Sequence, residues 1–354
     1  MVKKHSLYWF TLLLILNVPA IAYEFVDLGT YRDYENSEAV AINNSGNIAG
    51  NASQDGETRG VRFTGSGGGN VGLRGEHAYD VNNNREILGV SNDQAVVFNF
   101  SGTAIQYIPN LNGYDYNTGY SMNDNGQVVG VAYTPYSDYQ AFLFDPDDYS
   151  TTRLGTVDNL DFSIATSINN TGQVVGYSTD GLDVNRATLF DVTGAGNNID
   201  LSSWDSYYSM AYCINDNGKI VGSEMGQAVL FDETGGGMSV NLGTLNDGDE
   251  YGYSVATSIN NSGQIVGYST GGSSSGCVAT IFDPTGWNNI DLNTLVDLPD
   301  GWVLRQANDI NDDGWIVGTA TDDLGYTHAY LLIPEPATMT LLGPAVMLLR
   351  RKIR

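Results

Sequence analysis

The feature that most constrains this chain is a unit repeated seven times. An apolar residue followed by asparagine recurs at Ile42-Asn43, Val81-Asn82, Met122-Asn123, Ile168-Asn169, Ile214-Asn215, Ile259-Asn260 and Ile310-Asn311. Successive asparagines lie 39, 41, 46, 46, 45 and 51 residues apart. Three positions before each apolar member stands a small residue: Ala39, Ala78, Gly119, Ala165, Ala211, Ala256 or Ala307. After the asparagine comes a turn that closes on glycine (Gly46, Gly126, Gly172, Gly218, Gly263, Gly314) or, in the second copy, on Arg85. An apolar pair and a second glycine follow in every copy, as in Val174-Val175-Gly176 and Ile265-Val266-Gly267.

This is the pattern of a β-hairpin. Asn and Gly accept the positive φ that tight hairpin turns demand. The second glycine interrupts a strand, which predicts a bulge or a close backbone approach. Two further strands complete each unit. One ends on an aromatic or large apolar residue, as in Ala141-Phe142-Leu143-Phe144 and Ala228-Val229-Leu230-Phe231. The other is short and Asp-Leu-Gly-like: Asp27-Leu28-Gly29, Val71-Gly72-Leu73, Tyr107-Ile108-Pro109, Arg153-Leu154-Gly155, Asp200-Leu201, Asn241-Leu242-Gly243 and Asp291-Leu292.

A unit of this length with four short strands cannot bury its own faces, and stacking on its neighbours does it instead. The pattern therefore predicts an all-β chain, a seven-bladed β-propeller of four-stranded repeats over residues 23–333. An open β-solenoid is the rival. The small residues of the first strand are expected near the crowded axis. A short strand at 25–29 precedes every hairpin, and none follows Leu332. That phase predicts that 25–29 closes the ring by pairing with the last blade, with pairing inside the first blade as the alternative.

The two ends are different in kind. Lys3 and Lys4 precede an apolar run at 7–18, and Ala20-Ile21-Ala22 forms an A-x-A site, so residues 1–22 read as a signal peptide cleaved after Ala22. At the other end Pro334-Glu335-Pro336 precedes an apolar stretch at 337–349, expected as a short helix, and then Arg350, Arg351, Lys352 and Arg354. A stretch of thirteen residues falls short of the ~20 that span a bilayer unaided. Residues 334–354 resemble the PEP-CTERM sorting signal of Gram-negative bacteria in the order and position of these three parts; Pro344 is a departure. The resemblance implies processing by an exosortase-type protease, transient membrane anchoring through 337–349, and display at the cell surface or in extracellular polysaccharide.

The repeats resemble the HAF family of extracellular repeat proteins across nearly all of 25–333. The Ile-Asn-x-x-Gly-x-Ile-Val-Gly segments and the strand after them carry the likeness. His328-Ala329-Tyr330 comes nearest to the naming tripeptide, while Gln94, Gln140, Arg186, Gln227 and Val278 occupy the histidine position elsewhere. The family implies an extracellular location and no established chemistry.

Charge narrows the partners. The full chain carries −26; losing both ends removes six of 15 basic and one of 41 acidic residues, leaving about −31. Such a surface repels nucleic acid and attracts cations. Catalytic motifs are sparse: no G-x-S-x-G elbow and no Walker-type phosphate loop occur. His77 and His328 are isolated, too few for a multi-histidine metal site. Asp309-x-Asn311-x-Asp313-Gly314 opens like a calcium loop, but Ala320 stands at the twelfth position, so these residues read as turn formers. The acidic groups Asp145, Asp147, Asp148 and Asp247, Asp249, Glu250 sit in loops. Cys213 and Cys277 are either one disulfide or two buried thiols. Asn43-Asn44-Ser45, Asn169-Asn170-Thr171 and Asn260-Asn261-Ser262 match sequons but read as hairpin turns.

These readings predict no enzyme, no cofactor and no metal site, but an exported structural or binding module. The alternatives are a lectin-like propeller that stacks sugars on Tyr207, Tyr208, Trp287, Trp302 and Trp315, and a polysaccharide-active hydrolase using paired carboxylates.

Overall fold

The structure is a computed structural model and describes residues 23–335 apart from 137, 204–205, 247–251 and 273. The signal peptide, including Ala20 and Ala22, and the sorting residues Pro336, Arg350 and Arg351 lie outside the described residues. Among the described residues no helix is long and apolar enough to cross a membrane.

Seven four-stranded antiparallel sheets form the blades of a β-propeller, as the repeat predicts. Strands run from the axis outward in chain order. In the fourth blade they are Phe162–Ile168, Val174–Thr179, Asn185–Phe190 and Ile199–Asp200. The last blade contains Val303–Ile310, Ile316–Thr321 and Thr327–Pro334, and its outer strand is Tyr23–Gly29 from the start of the domain. Glu24 pairs with Ile333 and Asp27 with Tyr330. The ring is thus closed by the first strand, as the phase of the short strand requires.

Each hairpin follows from its asparagine. Asn169 Oδ1 accepts from the backbone N–H groups of Thr171 (3.1 Å) and Gln173 (2.9 Å), and Gly172 N–H donates to the Asn169 carbonyl (3.0 Å). The turn residue is left-handed in every copy, from Gly46 at φ 72° to Gly314 at φ 78°, and Arg85 adopts the same conformation at φ 67°.

The second glycine answers a bulge. The inner strand of each blade shifts register beside it, as between Ala165 and Ser167 opposite Gly176. The shift drives the carbonyl oxygen of Ile164 against the Gly176 Cα, where any Cβ would overlap it. The equivalent overlap awaits Gly50 with Glu38, Gly130 with Thr118, Gly222 with Met210 and Gly267 with Val255.

The cores lie between blades rather than within them. Leu201, at the end of the fourth blade's outer strand, packs with Val175 and Ala187 of its own blade and with Ala211 and Ile214 of the next. Leu28, Leu73, Ile108, Leu154, Leu242 and Leu292 repeat this role. Burying such a leucine stabilises by about 2–3 kcal/mol, so the Asp-Leu-Gly signature is a blade-to-blade wedge. Several of these leucines follow the outer strand instead of belonging to it; Leu292 opens a single 3-10 turn, Leu292–Thr294, capped by Asp291.

Candidate functional site: two unlike ends of one axial channel

The inner strands enclose a channel whose ends differ because strand direction sorts the loops. The Asn hairpins, and the turns between third and outer strands, lie at one end. The hairpins between second and third strands, and the links from each outer strand to the next blade, lie at the other.

At the Asn end hydrogen bonds run round the whole ring. Each buried asparagine donates through Nδ2 to the carbonyl of the next one: Asn43 to Asn82 (2.7 Å), Asn82 to Asn123 (3.4 Å), Asn123 to Asn169 (3.1 Å), Asn169 to Asn215 (2.9 Å), Asn215 to Asn260 (2.9 Å), Asn260 to Asn311 (2.9 Å) and Asn311 back to Asn43 (3.1 Å). A second circuit passes through the following residues, Asn44, Asn83, Asp124, Asn170, Asp216, Asn261 and Asp312, each backbone N–H donating to the next Oδ1 at 2.8 to 3.0 Å. The repeated Ile-Asn pair therefore ties blades together as well as turning the chain.

Beneath these circuits the lining of a cavity of about 190 Å³ includes Asp80, Ser121, Ser167, Cys213, Ser258 and Asp309. These residues reach the neighbouring blade. Asp309 Oδ2 accepts from Ile42 N–H (2.8 Å) and Oδ1 from Ser258 Oγ (2.7 Å). Asp80 accepts from Met122 N–H (2.8 Å) and Val81 N–H (2.7 Å). Burial raises both carboxyls, Asp80 to about 6, with the charge of Asp309 adding to the shift and the Met122 hydrogen bond opposing it.

That environment gives a pH prediction. A carboxyl that titrates near 6 when folded and at about 3.9 when unfolded favours the folded state while protonated. The contribution is full below about pH 4 and is lost as pH rises through about 6. Replacing Asp80 with serine, the residue at this place in the third, fourth and sixth units, should remove the dependence. Thermal melts of wild type and Asp80→Ser should show the variant gaining about 3 kcal/mol on wild type between pH 4 and pH 7.5. A constant gap would contradict this assignment.

The opposite end is aromatic. A cavity of about 510 Å³ is lined by Tyr120, Tyr177, Tyr212 and Tyr268 together with Thr166, Thr257, Ile164, Met210 and Val255. It shares Tyr120 and Ile164 with a second hollow of about 370 Å³ bearing Tyr133 and Tyr139. Tyr79 meets Tyr120 edge to face at 5.4 Å. The bulge places these side chains: Tyr79, Tyr120, Thr166, Tyr212 and Thr257 each follow the small residue of the inner strand. Thr166 Oγ1 donates to the Ala211 carbonyl (2.8 Å) and Thr257 Oγ1 to the Ala307 carbonyl (2.6 Å), which fixes the wall between the rings. Burial raises the phenols of Tyr79, Tyr120, Tyr177, Tyr212 and Tyr268, reinforced in each by neighbouring tyrosines; Tyr79 reaches about 12. The wall is therefore uncharged at neutral pH.

The five aromatics expected as one sugar-stacking face are not brought together. Tyr207 and Tyr208 are exposed in the link before the fifth blade. Trp302, in the link before the last blade, packs on His328 in a tilted pair (centroids 4.3 Å) and meets Phe25 edge to face. Trp315 covers Gly46 at the Asn end, and Trp287 is exposed in a turn at that same end. The loops that carry these residues belong to opposite ends, so no single ligand reaches all five.

The other candidates are structural. Asp309 and Asn311 are engaged as backbone acceptors and ring members rather than arranged as a calcium loop. Asp145 and Asp148 cap the turn between two strands, and Asp247, Asp249 and Glu250 lie outside the described residues. His77 stacks near Tyr79, and His328 Nε2 lies 3.3 Å from Asp322. Both cysteines are free thiols. Among the described residues no group of three or more His, Cys, Asp or Glu side chains is placed to hold a metal ion.

No family model and no curated protein matches the chain. Solved structures do match in fold. A puromycin hydrolase superposes with a TM-score of 0.56 at 13% identity, covering 84% of this chain, which spans only 53% of the hydrolase. A streptogramin B lyase superposes with a TM-score of 0.50 at 10% identity over 89% of this chain and 98% of the lyase. At these identities the likeness is one of architecture, and the chain is a seven-bladed β-propeller built from its own repeat.

Proposed function

We propose that the protein is an exported binding module whose tyrosine-lined channel end takes an uncharged carbohydrate. The observation that carries the reading is the 510 Å³ hollow walled by four tyrosines and two threonines. Phenol rings offer the flat apolar faces on which pyranose rings stack, and their hydroxyls and the threonines offer hydrogen bonds. The neutral wall favours an uncharged ligand over a phosphate or a carboxylate. Binding rather than catalysis is supported by the placing of the axial carboxylates. Asp80 and Asp309 stand at the other end of the channel, where they serve neighbouring backbone groups.

Export and sorting belong to the same proposal. Residues 1–22 supply the signal, with cleavage at Ala20-Ile21-Ala22. Pro334, Glu335, Pro336, Arg350 and Arg351 supply the sorting motif for an exosortase-type protease. The protein would then act at the surface or in the extracellular polysaccharide of a Gram-negative bacterium, in keeping with its resemblance to HAF-repeat proteins.

A glycan array with the mature protein tests the binding reading. Tyr177→Ala and Tyr212→Ala should each weaken binding about tenfold, the size of one aromatic stacking contact, while Trp287→Ala should leave it unchanged. Binding lost with Trp287 and kept in both tyrosine variants would place the site elsewhere. Breakdown of the bound glycan, abolished by a single Asp→Asn change, would establish the hydrolase instead.

A further inference from the structure

The two ends of the domain meet. Tyr23, the first residue after the predicted cleavage at Ala22, pairs with Pro334, the first residue of the sorting motif. Tyr23 is buried, and its N–H donates to the Leu295 carbonyl at 3.1 Å. Both ends leave at the Asn end of the channel. The strand Thr327–Pro334 runs toward it, and the Pro334 ring sits within van der Waals reach of the Gly314 turn.

The tether beyond this point is short. The apolar run begins at Ala337, two residues after Glu335, a span of about 7 Å of extended chain. The tyrosine-lined hollow lies one inner-strand length away, about 20 Å for six residues, on the opposite side. A tether so much shorter than the blade cannot turn the molecule over. We infer that, while residues 337–349 hold the protein in a bilayer, the Asn end faces the lipid and the tyrosine end opens away from it. This rests on the anchoring reading above. The orientation comes from the tether alone, since the acidic mouth at Asp124, Asp216 and Asp312 has no attraction for lipid headgroups.

The test uses the full chain after signal removal, in a Cys213→Ser, Cys277→Ser background. A fluorophore is attached at Asp313→Cys in the Asn hairpin or at Leu324→Cys in the exposed turn at the other end. Vesicles of phosphatidylcholine and phosphatidylglycerol carry a headgroup quencher. The expected result is vesicle binding with quenching at 313 at least threefold stronger than at 324. Binding with equal or reversed quenching overturns the orientation and leaves the anchor standing. No binding, or binding that survives removal of 336–354, overturns the anchoring reading and the orientation with it.

Discussion

Replacing Gly176 with valine should lower the melting temperature by roughly 5 °C, from a cost of about 3 kcal/mol. The bulge between Ala165 and Ser167 presses the Ile164 carbonyl against the Gly176 backbone, and a Cβ there would overlap that oxygen. Backbone gives way less readily than a flexible side chain, so relief requires the bulge to open. Opening it would withdraw Thr166 from the Ala211 carbonyl and rotate the wall of the tyrosine hollow. The variant should therefore lose ligand affinity as well as stability. The same substitution at Gly196, an open loop position with nothing near its missing Cβ, is a control for composition alone, although its φ of 85° carries its own smaller strain. A melting temperature for Gly176→Val equal to wild type would show that the bulge is not rigid.

Deleting Tyr23–Gly29 should make the protein aggregate. The deletion removes Leu28 from the wedge between the last blade and the first, a loss of about 3 kcal/mol for that side chain alone. It also strips the partner from Thr327–Pro334, leaving an apolar strand edge that recruits other chains. The milder Leu28→Ala keeps the edge covered and should lower stability without aggregation. Light scattering during size-exclusion chromatography separates the two. A monomeric deletion variant with an unchanged melting temperature would mean that the strand contributes nothing to the ring.

Much of the fold was legible because the repeat reports on itself. Seven turns of an apolar residue and asparagine and seven second glycines set the blade number, and the lone short strand before Ala39 set the closure. The Asp-Leu-Gly segments were read as strands because their leucines are apolar, but Leu154, Leu201 and Leu292 follow the pairing and serve the next blade. That role depends on contacts between units, which spacing within a unit does not express.

The tyrosine hollow was not legible for a related reason. Its tyrosines occupy two repeat positions, one after the small residue (Tyr120, Tyr212) and one after the second glycine (Tyr177, Tyr268), and only some copies hold tyrosine there. In sequence this looks like scatter at variable positions. Only the pairing of the inner and second strands brings both positions to the same hollow. The loop aromatics misled in the opposite way: large exposed rings suggest binding, yet strand direction divides Tyr207, Tyr208 and Trp302 from Trp287 and Trp315. Counting strands from each Asn turn would have separated them.

The hollow, the asparagine circuits and the shared exit of both ends all require that the first strand shut the circle. Cysteines at Glu24 and Ile333, introduced with Cys213 and Cys277 changed to serine, test this by oxidation and peptide mapping. A disulfide joining the peptides that contain 24 and 333 is the predicted result. A cysteine at 24 that ignores 333 and instead bonds to one placed at Val71, in the first blade's own outer strand, would contradict it.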